Sequence, residues 1–274
     1  MPNRLIATLA GLALAGAAAA APEAEPWPRW KEHDPTSEAT IDHGAWSEFL
    51  TRYIEPDPAL DLNRLRYGAV SKADRAALAA YIRRLEAVDI DAHNRDQQLA
   101  YWLNLYNAAT VRLILEDYPV DSIRDLGGLF SSGPWDRKVV TVAGTRLTLN
   151  DIEHRILRPI WDTPLIHYGV NCASVGCPNL LKSAYTGAGV YRQLRDNARA
   201  YVNSPRGVRI EDGRVTASRI YDWYREDFGG SEAGVISHLR QYAAPALSAR
   251  LDAAGEVDDY AYDWALNDAG GADD

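Results

Sequence analysis

A chain of 274 residues that is 47% hydrophobic and 24% charged has the material for a large buried core, which excludes a disordered or fibrous protein. Its formal net charge of −9, with no cluster of Lys and Arg, argues against nucleic acid as a partner. With two cysteines in the whole chain, a disulfide framework is not what holds the fold.

The first 20 residues read as an export signal. Arg4 precedes an apolar run over 5–14, and small residues over 17–21 offer a cleavage site after Ala20. The apolar run is shorter than the ~20 residues a membrane span needs, and no later segment is long and apolar enough. The expectation is therefore a periplasmic or secreted protein with no membrane span after cleavage. Residues 21–42, rich in proline and charge, read as an N-terminal arm packing loosely through Trp27 and Trp30.

Trp46, Phe49, Leu50 and Tyr53 recur at helical spacing, which predicts a helix over 43–53 that Pro56 and Pro58 end. Ser71 and Asp74 form a capping box for a second helix reaching 87, with Leu78, Tyr81, Ile82 and Leu85 as its stripe. After a polar break at 89–94, residues 96–117 predict a long helix that stops before Pro119. Apolar residues surround most of its circumference, the mark of a helix at the centre of a core. Asn104 and Asn107 lie three apart on one face of it and need hydrogen-bond partners if buried. Either they tie a loop to the helix, or one of them orients a catalytic imidazole or donates to an oxyanion.

A short helix enters a glycine-containing loop over 121–130, and 139–142 pairs with 145–147 in a hairpin about Ala143 and Gly144. Thr148 and Asp151 make another capping box, starting a helix near Leu149 that ends before Pro159. Glu153 and His154 lie near its N-terminal end, where the helix dipole disfavours imidazolium and keeps a neutral base available. Ile166, Tyr168 and Val170 alternate as a strand that stops at Asn171 and Cys172. Further helices are predicted over 190–202, 218–227, 233–242 and 247–251, with a hairpin over 207–217 and a last strand over 257–266. Residues 267–274 read as a solvated acidic tail. No repeat or linker interrupts 43–266, which predicts one α+β domain of several helices around a small, mainly antiparallel sheet.

Both cysteines fall in 165–180. A thiol at the carboxyl end of a buried strand, entering a loop of small residues, sits where backbone N–H groups can converge on an anion. The alternative is a buried cysteine at a turn or a disulfide, and the spacing from Cys172 to Cys177 matches neither C-x-x-C nor a zinc pattern. Of the six histidines, His33, His43 and His93 default to surface or structural roles. His167 lies five residues from Cys172, on the opposite face of the expected strand, which leaves His154 as the better base. Glu153, its neighbour on a helix, diverges from His154 by roughly 100° and is a poor orienter of that ring. No H-E-x-x-H, G-x-S-x-G, P-loop or G-x-G-x-x-G occurs, so neither a metal nor a cofactor is expected, and Cys plus His is the constellation left.

The ordered motifs WLNLYNAATVRLIL, LTLNDIEHRILR, IHYGVNCASVGCPNL, YDWYREDFG and YDWAL resemble the family catalogued as domain of unknown function 547, from about Trp46 to Leu266. The resemblance implies a papain-like arrangement with Cys172 as nucleophile, His154 as base and Glu153 as the third motif residue. Two functions of different class follow. In the first, an exported enzyme hydrolyses or transfers the acyl group of a peptide-like or amide substrate, with Asn104, Asn107 or Asn171 in the loop steadying substrate or oxyanion. In the second, a non-catalytic binding or interaction module keeps the same pocket for a small-molecule or peptide ligand. The oligomeric state is left open.

Overall fold

The computed structural model describes residues 22–128 and 133–270, so the export signal expected over 1–20 lies outside the described residues. In chain order the elements begin with α1 (Gly44–Tyr53), a hairpin of β1 (Ile54–Asp57) and β2 (Leu62–Leu65), α2 (Lys72–Glu86) and α3 (Arg95–Asp117). A second hairpin, β3 (Val140–Val142) and β4 (Thr145–Leu147), leads to a π-helix (Asp151–Leu157) that runs into α4 (Arg158–Trp161). There follow α5 (Val190–Asn203), β5 (Val208–Glu211), β6 (Arg214–Ser218), α6 (Ile220–Trp223), α7 (Glu232–Tyr242), α8 (Pro245–Ala254) and β7 (Asp259–Ala261). Eight α-helices and seven short strands among the described residues make this an α+β fold. The strands do not join into one sheet. Two antiparallel hairpins stand apart, and β5–β6 takes β7 in parallel.

Helix α3 runs through the core because its sequence is apolar on every side: Leu99, Leu103, Leu105 and Ile114 are all fully buried. Asn94 starts it by accepting the Gln97 N–H at 3.1 Å, satisfying one of the unpaired donors of the first turn. The arm is not loose. Trp30 is 2% exposed and stands edge-on to Trp102 of α3, ring centroids 5.2 Å apart.

The helix expected to end before Pro159 continues to Trp161. In a π-helical ladder the N–H of residue 159 would bond the His154 carbonyl, and in an α-helical one the Arg155 carbonyl; proline offers neither. The arm supplies the missing donors, Glu25 N–H to His154 O at 3.0 Å and Trp27 N–H to Arg155 O at 3.1 Å. The proline is tolerated because a second chain segment completes its hydrogen bonding.

Where alternation predicts a strand over 166–170, the chain winds as a 3-10 helix (Pro164–Tyr168) instead. Pro164 presets the first helical position and Thr163 caps it, a helix start that outweighs a short period-two run. The helix expected over 218–227 breaks at Tyr224 into α6 and a 3-10 turn (Arg225–Phe228). The last strand is only β7, because the chain beyond it leaves the sheet to lay the carbonyls of Asp263 and Ala265 against the cysteine loop. The hairpin β1–β2 was not expected; Pro56 fits it because a two-stranded sheet leaves an outer edge without ladder bonds. Nor does the tail begin at 267. Asn267 is fully buried and accepts the Tyr67 hydroxyl at 2.9 Å, and Asp268 accepts the Tyr118 hydroxyl at 2.8 Å. No helix among the described residues is long and apolar enough to cross a membrane.

Candidate thiol site

The loop from Asn171 to Pro178 is fastened at each end by a buried carboxamide. Asn107 of α3 donates to the Gly169 carbonyl at 2.9 Å and accepts the Asn171 N–H at 2.8 Å. Asn171 in turn donates to Pro178 O at 2.8 Å and accepts the Ala173 N–H at 2.9 Å, closing the loop on itself. One turn earlier on the helix, Asn104 makes the same two-point clamp on the Tyr185 backbone, at 2.9 and 3.0 Å. Of the two roles open to these residues, the structure puts both on loop tying, and the geometry of a carboxamide facing a peptide unit explains it.

The middle of the loop is held from outside. Val175 N–H donates to Ala265 O and Gly176 N–H to Asp263 O, both at 2.8 Å, while the Tyr201 hydroxyl donates to Gly176 O at 2.6 Å. A side chain at 176 would meet the Asp263 backbone at 2.9 Å, so glycine is required there by close approach. Ala173, directly after Cys172, sits at φ +61°, a conformation that costs a non-glycine residue about 1 kcal/mol or more. The expected convergence of free backbone donors is not what forms. The N–H groups of residues 173, 175, 176 and 177 are taken by protein oxygens, and that of Cys172 points at sulfur.

That sulfur is Cys177. Cys172 N–H donates to Cys177 Sγ at 3.0 Å, and the Tyr262 and Ser174 hydroxyls lie 3.2 and 3.5 Å from it. The same two hydroxyls lie 3.2 Å from Cys172 Sγ. Cys177 is 4% exposed and Cys172 is partly exposed; both are free thiols. Burial opposes a charge on Cys177, but the hydrogen bonds from the Cys172 thiol, Tyr262 and Ser174 outweigh it and hold its thiol below the ordinary value. The reciprocal contact from Cys177, reinforced by burial, pushes Cys172 up. The two thiols titrate as a coupled unit rather than independently.

Beside the sulfurs lies a buried polar chain. Glu153 accepts the Tyr106 hydroxyl at 3.0 Å, and its carboxylate, after burial, pushes the Tyr224 hydroxyl up. Its other oxygen is 4.0 Å from Nδ1 of His167, an atom with no hydrogen-bond partner among the described residues. Nε2 of His167 meets Asp227 at 2.6 Å, and Arg158 grips the same carboxylate at 2.6 and 2.9 Å. Burial disfavours charge on Asp227, yet these bonds hold its carboxyl well below the usual range. With Asp227 ionised, Nε2 of His167 carries a proton and donates it to the carboxylate.

His154 occupies the far end of this chain. Its Nδ1 accepts from Arg158 Nη1 at 3.2 Å, and burial, with the nearby guanidinium, lowers its basicity. The ring faces Tyr224, at 6.0 Å between centroids, and the hydrogen-bond partners of Cys172 Sγ are hydroxyls rather than an imidazole. Glu153 sits beside His167, 4.0 Å from its Nδ1, and makes no hydrogen bond to its neighbour His154 among the described residues. The strand periodicity that turned His167 away from the site does not apply on a 3-10 helix, and Thr163-Pro164 was the signal for it. Asp227 stands in the motif YDWYREDFG, where helical periodicity alone assigns it no partner. Sequence reasoning also missed Cys177, Ser174 and Tyr262 as neighbours of Cys172.

The open side of the site is aromatic. Trp223, Tyr262 and Trp264, all partly exposed, have centroids 4.6–5.5 Å apart, and Trp135 extends the group. Among the described residues no three His, Cys, Asp or Glu side chains converge to hold a metal ion.

No curated protein and no solved structure matches the chain. The family described as "Protein of unknown function, DUF547" matches residues 90–202, the stretch that holds α3, Glu153, His154, His167 and both cysteines. Over that segment the chain is similar to the DUF547 family.

Proposed function

We propose that this is an exported thiol enzyme in which Cys172 attacks the acyl carbon of a peptide-like or amide substrate, leading to hydrolysis or acyl transfer. The observation that carries it is the pairing of a partly exposed thiol with a buried one on which three donors converge. As substrate approaches, the Cys172 proton passes to the Cys177 sulfur and the Cys172 sulfur bonds to the acyl carbon. The C–N bond then breaks, and the amine leaves with that proton. Water or an acceptor amine next attacks the thioester and releases Cys172. The Tyr262 and Ser174 hydroxyls, no longer needed by a bonded sulfur, are within reach to donate to the developing oxyanion. Glu153, His167, Asp227, Arg158 and His154 position Tyr106 and Tyr224 alongside. The rings of Trp223, Tyr262 and Trp264 offer an apolar face to a substrate side chain. The apolar run and small residues before Ala21 support export to the periplasm or medium.

Incubation with peptide thioesters and activated amides, followed by intact mass and peptide mapping, tests this. An acyl group on Cys172 that turns over, absent from Cys172→Ala, is the expected result. A Cys172 that alkylates normally but never acylates would overturn it. One observation favours a second function, a ligand-binding module without turnover: the partners of the Cys172 sulfur include no imidazole. In that case a peptide ligand binds wild type and Cys172→Ala equally.

A further inference from the structure

The two cysteines carry more than a nucleophile requires. Three atoms bring the sulfurs into one cluster: the Cys172 amide nitrogen is 3.0 Å from the Cys177 sulfur, the Tyr262 oxygen is 3.2 Å from both sulfurs, and the Ser174 oxygen 3.2 and 3.5 Å from them. The frame around them is fixed. Asn107 holds one end of the loop, Tyr201 and the Asp263 and Ala265 carbonyls hold its middle, and Arg206 donates to the carbonyls of Val175 and Cys177. Access is unequal, with Cys172 partly exposed and Cys177 4% exposed. An incoming reagent therefore meets Cys172, and Cys177 can react only with what Cys172 already carries.

We propose that Cys172 and Cys177 form a thiol–disulfide exchange couple for small disulfides, an activity separate from acyl transfer at the same thiol. The Cys172 thiolate attacks one sulfur of R–S–S–R; the disulfide bond breaks and RS⁻ leaves, taking a proton as RSH. Cys177, as thiolate, then attacks the Cys172 sulfur of the mixed disulfide, forming the intrachain S–S bond and expelling the second RS⁻, which is protonated from solvent. Two electrons pass from the protein dithiol to R–S–S–R, giving two RSH. An external thiol resets the couple by the reverse steps. Cys177 suits the second step because the donors on its sulfur keep thiolate available. The shared neighbours of the two sulfurs make that step intramolecular, so the mixed disulfide is short-lived.

The test uses the full mature chain, reduced, desalted and mixed with glutathione disulfide. Samples are quenched in acid, alkylated with N-ethylmaleimide and mapped by mass spectrometry. Wild type is expected to lose two hydrogens, block both thiols to alkylation and carry no glutathione. Cys177→Ala is expected to trap a glutathionyl group on Cys172, at a level at least about tenfold above wild type. Cys172→Ala is expected to remain unmodified. A stable glutathionyl adduct on wild-type Cys172, or two thiols that alkylate fully after the incubation, would overturn the couple, and this wild-type measurement decides even if Cys177→Ala fails to fold. Acylation of the reduced wild type by peptide thioesters is scored on the same preparation, so loss of exchange and loss of acyl transfer are told apart.

Discussion

Replacing Asn107 tests whether the loop that carries the thiols is set by helix α3. Asn107→Ala removes the donor to Gly169 O and the acceptor for Asn171 N–H, two bonds of 2.9 and 2.8 Å in a site where the residue is 2% exposed. Each backbone group left buried and unpaired costs about 1–3 kcal/mol, so the loss is about 2–6 kcal/mol. Domains of this kind hold about 5–15 kcal/mol in total. Asn107→Asp separates hydrogen bonding from packing, because a protonated carboxyl can make both bonds and an ionised one faces the Gly169 carbonyl oxygen. Burial and that oxygen raise the folded pKa of the new group above its unfolded value of about 3.9. Its stability is then near wild type below about pH 4 and falls by about 1.4 kcal/mol per unit as pH rises toward the folded pKa. Urea unfolding at several pH values, read by intrinsic tryptophan fluorescence with m held common, measures both variants. A loss under about 1 kcal/mol for Asn107→Ala, or a deficit in Asn107→Asp that ignores pH, would refute the clamp.

Asp227, held below its unfolded pKa by His167 and Arg158, contributes stability that is present above about pH 4 and lost as pH falls further. Asp227→Asn should therefore flatten the acid limb of the stability curve. At neutral pH it should cost about 3 kcal/mol, the lower end of the buried-pair range because this carboxylate is partly exposed; a parallel acid limb would count against it. Cys172 should alkylate faster with iodoacetamide than Cys177. Cys177→Ala should move the Cys172 midpoint down toward about 8.5, because the contact that pushes Cys172 up is gone, and His154→Ala should leave it in place; a shift with His154→Ala instead would make that imidazole the base. Mass spectrometry of the exported protein should find Ala21 first, and an intact Met1 would refute the export signal.

The helices were legible where one face or one cap decided them: Ser71 and Asp74, and the all-round apolar girth of α3, place two of them within a residue or two. Elements whose shape depends on partners distant in sequence were not. The turn at 164–168 is the exception, since its helix start at Thr163 and Pro164 is local and was passed over for a short alternating run. The π-helix passes Pro159 only with donors from residues 25 and 27, which no local pattern announces. In the site, the positions of Cys172 and Glu153 came through as a motif. Their neighbours Tyr262 and Tyr106, and the Asp227 that bonds His167, did not, since each is 47 or more residues from the group it touches.

The borrowed donors at Pro159 bear on where this protein can be cut. The stretch matched to DUF547 begins at residue 90, so expressing it alone would remove Glu25 and Trp27 and strip two carbonyls in the middle of the helix that carries Glu153. Arg158 would lose both its acceptors beyond that stretch, Pro22 O and Asp227. Conservation boundaries and folding boundaries part company here: a fragment drawn to the first would keep the thiols and lose the scaffold, whereas one running from Pro22 through Asn267 keeps both.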